Sequence, residues 1–268
     1  MPTSSNPLAD VTGASHTGSD DQLRPDTSFV YTALPGFKKA LEARRAMRLF
    51  DGSRIPEAVM RDCLRDATLA PSSSNLQTYE LYWLRDPQKR SAVGDACLEQ
   101  PMAETAGELV VVVSRVDLWR RNLEKLVDVM TQGGARPLTP LLNDYYGRIV
   151  PLLMRNDPLG FNNILRRCVF WYRGLRGPFI RSPVNRGDHR VYGHIQASLA
   201  AQTLMLSLAA HGYESCPIGG LDPRRIRRTL GLPGKAEVTM VIAAGRGKAK
   251  GLSGPRVRLD ESDLIKEV

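Results

Sequence analysis

Three arginines fall within five residues in Arg44-Arg45-Ala46-Met47-Arg48, which runs on into Leu49-Phe50. A guanidinium does not shed its proton and offers a planar fork of donors, so a set this dense suits phosphate oxygens better than a lone carboxylate. A solvated basic face is the competing reading of the same run. A second stretch, Ala70-Pro71-Ser72-Ser73-Ser74-Asn75-Leu76-Gln77, strings small hydroxyl and amide side chains behind a proline. It is either a plain loop whose side chains bond their own backbone or a polar clamp. Nothing in the chain pairs a nucleophile with a base in the manner of a triad. The four cysteines form no C-x-x-C pair and the four histidines no H-x-x-x-H pair, so neither a catalytic residue nor a metal site is assigned.

The elements that position these residues follow from periodicity. Phe37 and Leu41, with Ala40 and Arg44, share one face of a helix expected over Leu34–Arg48, which delivers the arginines at its end. Asp51–Pro56 is a turn, and Pro56 opens a second helix through Val59, Met60, Cys63, Leu64 and Ala67 to Ala70. A strand is expected at Tyr79–Leu84, a helix at Gln88–Cys97, and a strand buried on both faces at Glu108–Ser114. Between about 117 and 187 arginine and proline multiply and only pieces such as Leu118–Met130 keep a helical period, so this stretch reads as an insertion over the core. Within it, Ile164 to Arg173 mixes aromatics with arginines, and three readings stay open: a lid over a pocket, a membrane-surface patch, or packing with arginine stems on apolar surface. His194–His211 is nearly free of charge, a helix for the interior or a subunit interface, with Gly212 as its C-cap. It leads to a Gly219-Gly220 corner. Asp222 caps a helix that starts at Pro223, and Val238–Gly245 is a second core strand.

Composition limits the function classes. With 268 residues, 42% hydrophobic and 24% charged, the chain has the material for one core plus an insertion. The net charge of +9 admits nucleic acid, anionic membrane or phosphorylated small molecules as partners. The aromatic share of 6% and the lack of any helix-turn-helix, zinc-finger or RNA-binding signature argue against a basic nucleic-acid-binding protein, the non-enzyme alternative. Residues 1–28 are expected to form a disordered tail. No secretory pattern or long apolar run occurs, and a cytoplasmic protein is expected.

Four stretches in order resemble the FMN-dependent nitroreductase family, whose members carry R-R-S-x-R-x-F, A-P-S-S-x-N-x-Q-P-W, G-x-x-x-x-P-I-x-G and a closing basic pair. Here they stand as Arg44–Phe50, Ala70–Gln77, Gly212–Gly220 and Arg256-Val257-Arg258. The likeness covers about 44–113 and 194–268. It implies an α+β fold with a mixed central sheet flanked by helices, residues 29–268 forming one FMN-binding domain; the insertion at about 117–187 lies between the two halves of the likeness, where a lid is one expectation for it. It further implies an intertwined homodimer with FMN across the interface. Arg44, Arg48, Arg256 and Arg258 would hold the phosphate, with Arg45 and Ala46 near the ring and ribityl. Pro71, Ser72, Ser73, Ser74, Asn75 and Gln77 would reach the flavin from the other subunit, Pro217, Ile218, Gly219 and Gly220 would present backbone to its reactive edge, and Gln100 would meet the ribityl. The implied activity passes hydride from NADH or NADPH through FMN to a nitroaromatic, quinone or similar small-molecule acceptor by a ping-pong route. Ala46 stands where the family has serine, Gln77-Thr78-Tyr79 where many members have Pro-Trp, and Gly219 where a carboxylate is frequent. Relatives with altered pockets desaturate, dehalogenate or cleave the flavin, and that chemistry is the alternative.

Overall fold

The computed structural model describes residues 30–155 and 161–268, so the tail expected at 1–28 lies outside the described residues. In chain order come α1 (Val30–Ala43), α2 (Glu57–Ala67), β1 (Tyr79–Trp83), α3 (Pro87–Ala96), α4 (Pro101–Thr105), β2 (Glu108–Ser114), α5 (Trp119–Thr131), α6 (Pro140–Asp144), α7 (Val150–Met154), α8 (Phe161–Arg176), α9 (Arg186–Ala210), β3 (Glu214–Ile218), α10 (Pro223–Thr229), β4 (Glu237–Gly245) and α11 (Glu261–Leu264).

β2 is the centre of the fold. Its apolar, β-branched run leaves all seven residues buried, because the strand lies between β1 and β4 with a separate core on each face. Leu109, Val111 and Val113 face one core with Met47, Phe50, Val93 and Ile218; Val110 and Val112 face the other with Met60, Cys63, Leu204 and Leu208. Period-two alternation thus divides one strand between two apolar layers. The sheet order is β1-β2-β4-β3. The α+β class holds, but the pairings between these strands are all antiparallel, and the parallel pairing among the described residues is the single bridge of Ala46 to Ser215. β3 is an edge strand, which is why Pro217, with no N–H to donate, is tolerated in it.

Three boundaries differ from expectation. α1 ends at Ala43, and Arg44 onward leaves the helix because Met47 N–H donates to Ser215 O (3.1 Å) and Arg48 N–H to Gly251 O (2.9 Å). These are long-range bonds that no local period encodes. α9 starts at Arg186, eight residues before His194, with Asn185 accepting from the Asp188 N–H as its cap. Gly193, inside the helix, is a packing contact: a Cβ there would sit 2.1 Å from Ser114 Oγ and 2.4 Å from Val116 Cγ2. The segment between 117 and 187 is mostly helical where it is described, with irregular stretches at 137–139 and 178–184, and Leu76, Leu123, Val150 and Met154 form a small core with it. Its period was hidden because α6 and α7 are five residues each.

Candidate cofactor site

The segment after α1 is extended, so side chains alternate, and Arg44, Ala46 and Arg48 share one side while Arg45 and Met47 take the other. Met47 anchors the segment. It is buried, and a Cβ on Gly247 or Gly251 would meet it at 2.3 or 2.5 Å, so the glycines of the 247–251 turn exist to admit that side chain. The C-terminal arginines come to the same place. Arg256 donates from Nη2 to the carbonyls of Glu42 and Arg44, both at 2.7 Å, and Arg45 donates to Gly254 O. Burial, then the charges of Arg256 and Arg258, pull the Arg44 pKa below its ordinary value. Under the cluster lies Cys216, whose thiol is pushed up by burial against the opposing pull of Arg48 and Arg44.

Among the described residues no carboxylate pairs with Arg44, Arg48, Arg256 or Arg258. Guanidinium groups gathered against their mutual repulsion, one of them half-buried, are a donor set waiting for an anion. A terminal phosphate fits it.

The corner after β3 is closed by Gln100, whose Nε2 donates to Cys97 O (2.7 Å) and Gly220 O (2.6 Å). Pro217, Gly219 and Gly220 are exposed while Ile218 is buried, so the corner offers backbone at the surface from a fixed strand.

The serine loop is built elsewhere. Ser74, Asn75 and Gln77 all adopt positive φ (53°, 50° and 46°), a conformation that non-glycine residues hold only under constraint from their surroundings. The constraint is visible. Gln196 Oε1 accepts from Ser73 N–H (2.8 Å), Tyr192 donates to Ser73 O (3.1 Å), Tyr145 and Ser74 hydroxyls meet at 2.8 Å, and Asn122 Nδ2 donates to Leu76 O and Gln77 O. Ser72 Oγ accepts from Gln77 N–H (3.0 Å), so this serine also serves the loop itself. None of Asn122, Tyr145, Tyr192 or Gln196 was singled out from sequence. Gln196 carried a signal, an amide inside an otherwise apolar helix, and the others carried none.

Within one chain these halves do not meet. The loop enters β1 at Tyr79, which pairs with Ser114 at one end of β2, whereas Ala46 bridges to Ser215, which pairs with Ala244 and so aligns with Glu108 at the other end. The length of β2 separates them, ~20 Å at the usual strand rise.

Residues 41–246 match the Nitroreductase family over most of the chain. The chain belongs to that family. As a nitroreductase-family member it is an oxidoreductase, and its relatives agree. It is 24% identical over 223 residues to the NADH dehydrogenase of Thermus thermophilus, covering 83% of this chain and 92% of that one. The fold is similar to the crystal structure of a Nitroreductase Family Protein from Streptococcus pneumoniae, with a TM-score of 0.64 and 19% identity, covering 87% of this chain and 100% of that one. It is also similar to the NADPH:FMN oxidoreductase of Vibrio harveyi complexed with NAD+, with a TM-score of 0.58 and 18% identity, covering 87% and 76%. Among the described residues no helix is long and apolar enough to cross a membrane, and no group of histidine, cysteine and carboxylate side chains is placed to hold a metal.

Proposed function

We propose that this nitroreductase-family oxidoreductase binds FMN and, by a ping-pong route, moves hydride from NADH or NADPH to nitroaromatic, quinone or similar small acceptors. The observation that carries the reading is the arginine cluster of Arg44, Arg48, Arg256 and Arg258 with no carboxylate partner among the described residues. The names of its relatives support FMN and a nicotinamide as its partners. FMN, when bound, supplies hydride acceptance and release between two substrates that use one pocket in turn.

The chain's own residues bind and position. Arg44, Arg48 and Arg258 take the phosphate, while Arg256 both faces it and ties the C-terminal segment to α1 through Glu42 O and Arg44 O. Backbone at Gly219 and Gly220, held by Gln100, lets a flat ring approach without side chains intervening. The serine loop reaches the ring from a second copy of the chain. Two features support a homodimer: the ~20 Å between the loop and the arginines in one chain, and the exposed apolar residues Val191, Ile195 and Leu199 on α9 with Leu34, Phe37 and Leu41 on α1. The insertion acts as a lid through the residues that touch the loop, Asn122 and Tyr145. Its aromatic run is divided, with Phe170 buried on Phe179 and Trp171 and Tyr172 turned outward. A cytoplasmic setting suits a consumer of reduced nicotinamide.

The test is purification followed by spectroscopy, light scattering and steady-state kinetics. A flavin spectrum, twice the chain mass, and parallel double-reciprocal lines for NADH or NADPH against a quinone support the reading. A monomer that takes up no flavin refutes it, and intersecting lines refute the ping-pong route.

A further inference from the structure

Between residues 132 and 187 the sequence holds nine arginines and two aspartates, with no lysine and no glutamate. Seven of the nine net positive charges therefore sit in about a fifth of the chain, and α8 lies in the middle of them. Nothing in cofactor binding uses this charge.

Along α8, Ile164, Cys168, Trp171, Tyr172 and Leu175 recur at i, i+4, i+7, i+8 and i+11, a single stripe at helical spacing. The stripe faces outward: Ile164 is 66% exposed, Trp171 61%, Tyr172 50% and Leu175 65%. Phe170, on the opposite side, is buried with its ring centroid 5.4 Å from Phe179, which fixes the face that packs on the protein. Arg167 and Arg176 flank the stripe, and Arg176 lies 4.5 Å over the Tyr172 ring, while Arg173 lies 5.7 Å over Phe179 on the packing side. No acidic residue occurs between 161 and 187, and among the described residues neither flanking arginine is in an ion pair.

This face differs from the one assigned to the second copy. The face on α9 and α1 is bordered by the single lysine Lys38, whereas the α8 stripe is edged by Arg167 and Arg176 in a segment with no acidic residue, and a further copy carrying +9 would meet it with like charge. An aromatic and aliphatic stripe bordered by arginines matches the boundary between anionic headgroups and acyl chains, where guanidinium groups meet phosphates and tryptophan sits at the interface.

We propose that the outer face of α8 docks the protein on an anionic lipid surface. The helix is sixteen residues, ~24 Å, and lies in the plane of the interface. Attachment is peripheral and reversible, and salt weakens it.

The experiment is co-sedimentation of the purified full-length protein with vesicles of phosphatidylcholine alone or with about 30% phosphatidylglycerol, at about 50 and 500 mM salt. Binding is expected to the anionic vesicles alone, to fall at high salt, and to shift Trp171 emission to shorter wavelength. Trp171→Glu with Leu175→Glu should abolish it. Arg167→Gln with Arg176→Gln should weaken it ~25-fold, about five-fold for each arginine near the surface. Arg224→Gln with Arg228→Gln on α10 removes the same charge elsewhere and should leave binding within about two-fold. Equal binding to neutral vesicles, no binding at low salt, or undiminished binding by the arginine pair of α8 would overturn the proposal. So would a glutamate variant whose mass by light scattering departs from wild type, since the stripe would then be a subunit interface.

Discussion

Replacing Arg48 with alanine separates binding from folding more cleanly than any other change at the site. Arg48 is exposed, its backbone N–H to Gly251 O survives the substitution, and its guanidinium makes no hydrogen bond or ion pair among the described residues. Removing it from the protein without cofactor should therefore change stability by no more than about 0.5 kcal/mol. With FMN bound, the same deletion removes one charge-assisted hydrogen bond to phosphate, ~1.5 to 3 kcal/mol, so the FMN dissociation constant should rise ~10 to 100-fold. The assay is titration of the flavin-free protein with FMN by fluorescence quenching, beside melting curves without flavin. Arg256→Ala is the informative contrast. It also loses the bonds to Glu42 O and Arg44 O, so it should lower the melting temperature as well as the affinity. If Arg48→Ala and Arg258→Ala both keep wild-type FMN affinity, the arginines do not hold the phosphate.

Other outcomes follow from the same geometry. Ile195→Glu with Leu199→Glu on α9 should halve the mass seen by light scattering and release flavin with it; a dimer that persists would place the interface elsewhere. Gly193→Ala should destabilise by ~1 to 3 kcal/mol, read as a lower melting temperature, because its Cβ has no room beside Ser114 and Val116. Asp51, Glu57, Asp222 and Asp260 have carboxyls held below their ordinary values, by Ser53 hydroxyl, Arg85, the Arg225 N–H and Ser262 hydroxyl first in each case. A depressed folded pKa contributes stability that is complete above about pH 5 and lost as pH falls through the unfolded and then the folded values, so acid melting curves should decline there with no matching loss between pH 6 and 8. Thiol alkylation at pH 8 should label Cys168, which is exposed, and spare Cys97, which is buried with its thiol pushed up to about 11.

What the sequence made legible was local. The apolar run of β2, the Asp222-Pro223 helix start and the period of α2 each encode one element within itself, and each appears in its expected place, α2 ending three residues early at Ala67. The arginine segment shows the limit. Its helical period continues past Ala43, but Ser215 and Gly251 claim its backbone, and those partners lie far away in sequence. The density of arginine was readable in the sequence; that Arg256 would bind the Glu42 and Arg44 carbonyls, and that Cys216 would lie beneath, was not. For the serine loop, composition left a clamp and a plain loop equally open. What composition did not show is the strain held by Tyr145, Tyr192, Gln196 and Asn122, contributed by helices far along the chain. Their hydroxyls and amides have no sequence signature because the fold alone brings them together.

The central claim is that the arginine cluster exists for the phosphate of FMN, and comparing FMN with riboflavin on the wild-type protein tests it most directly. The two ligands share the ring and ribityl and differ in the phosphate alone, so isothermal titration of flavin-free protein isolates the contribution of Arg44, Arg48, Arg256 and Arg258. FMN should bind at least ~100-fold more tightly, one per chain, since two or more charge-assisted bonds of ~1.5 kcal/mol or above depend on the phosphate. Riboflavin binding as tightly as FMN, or neither binding at all, would contradict the account.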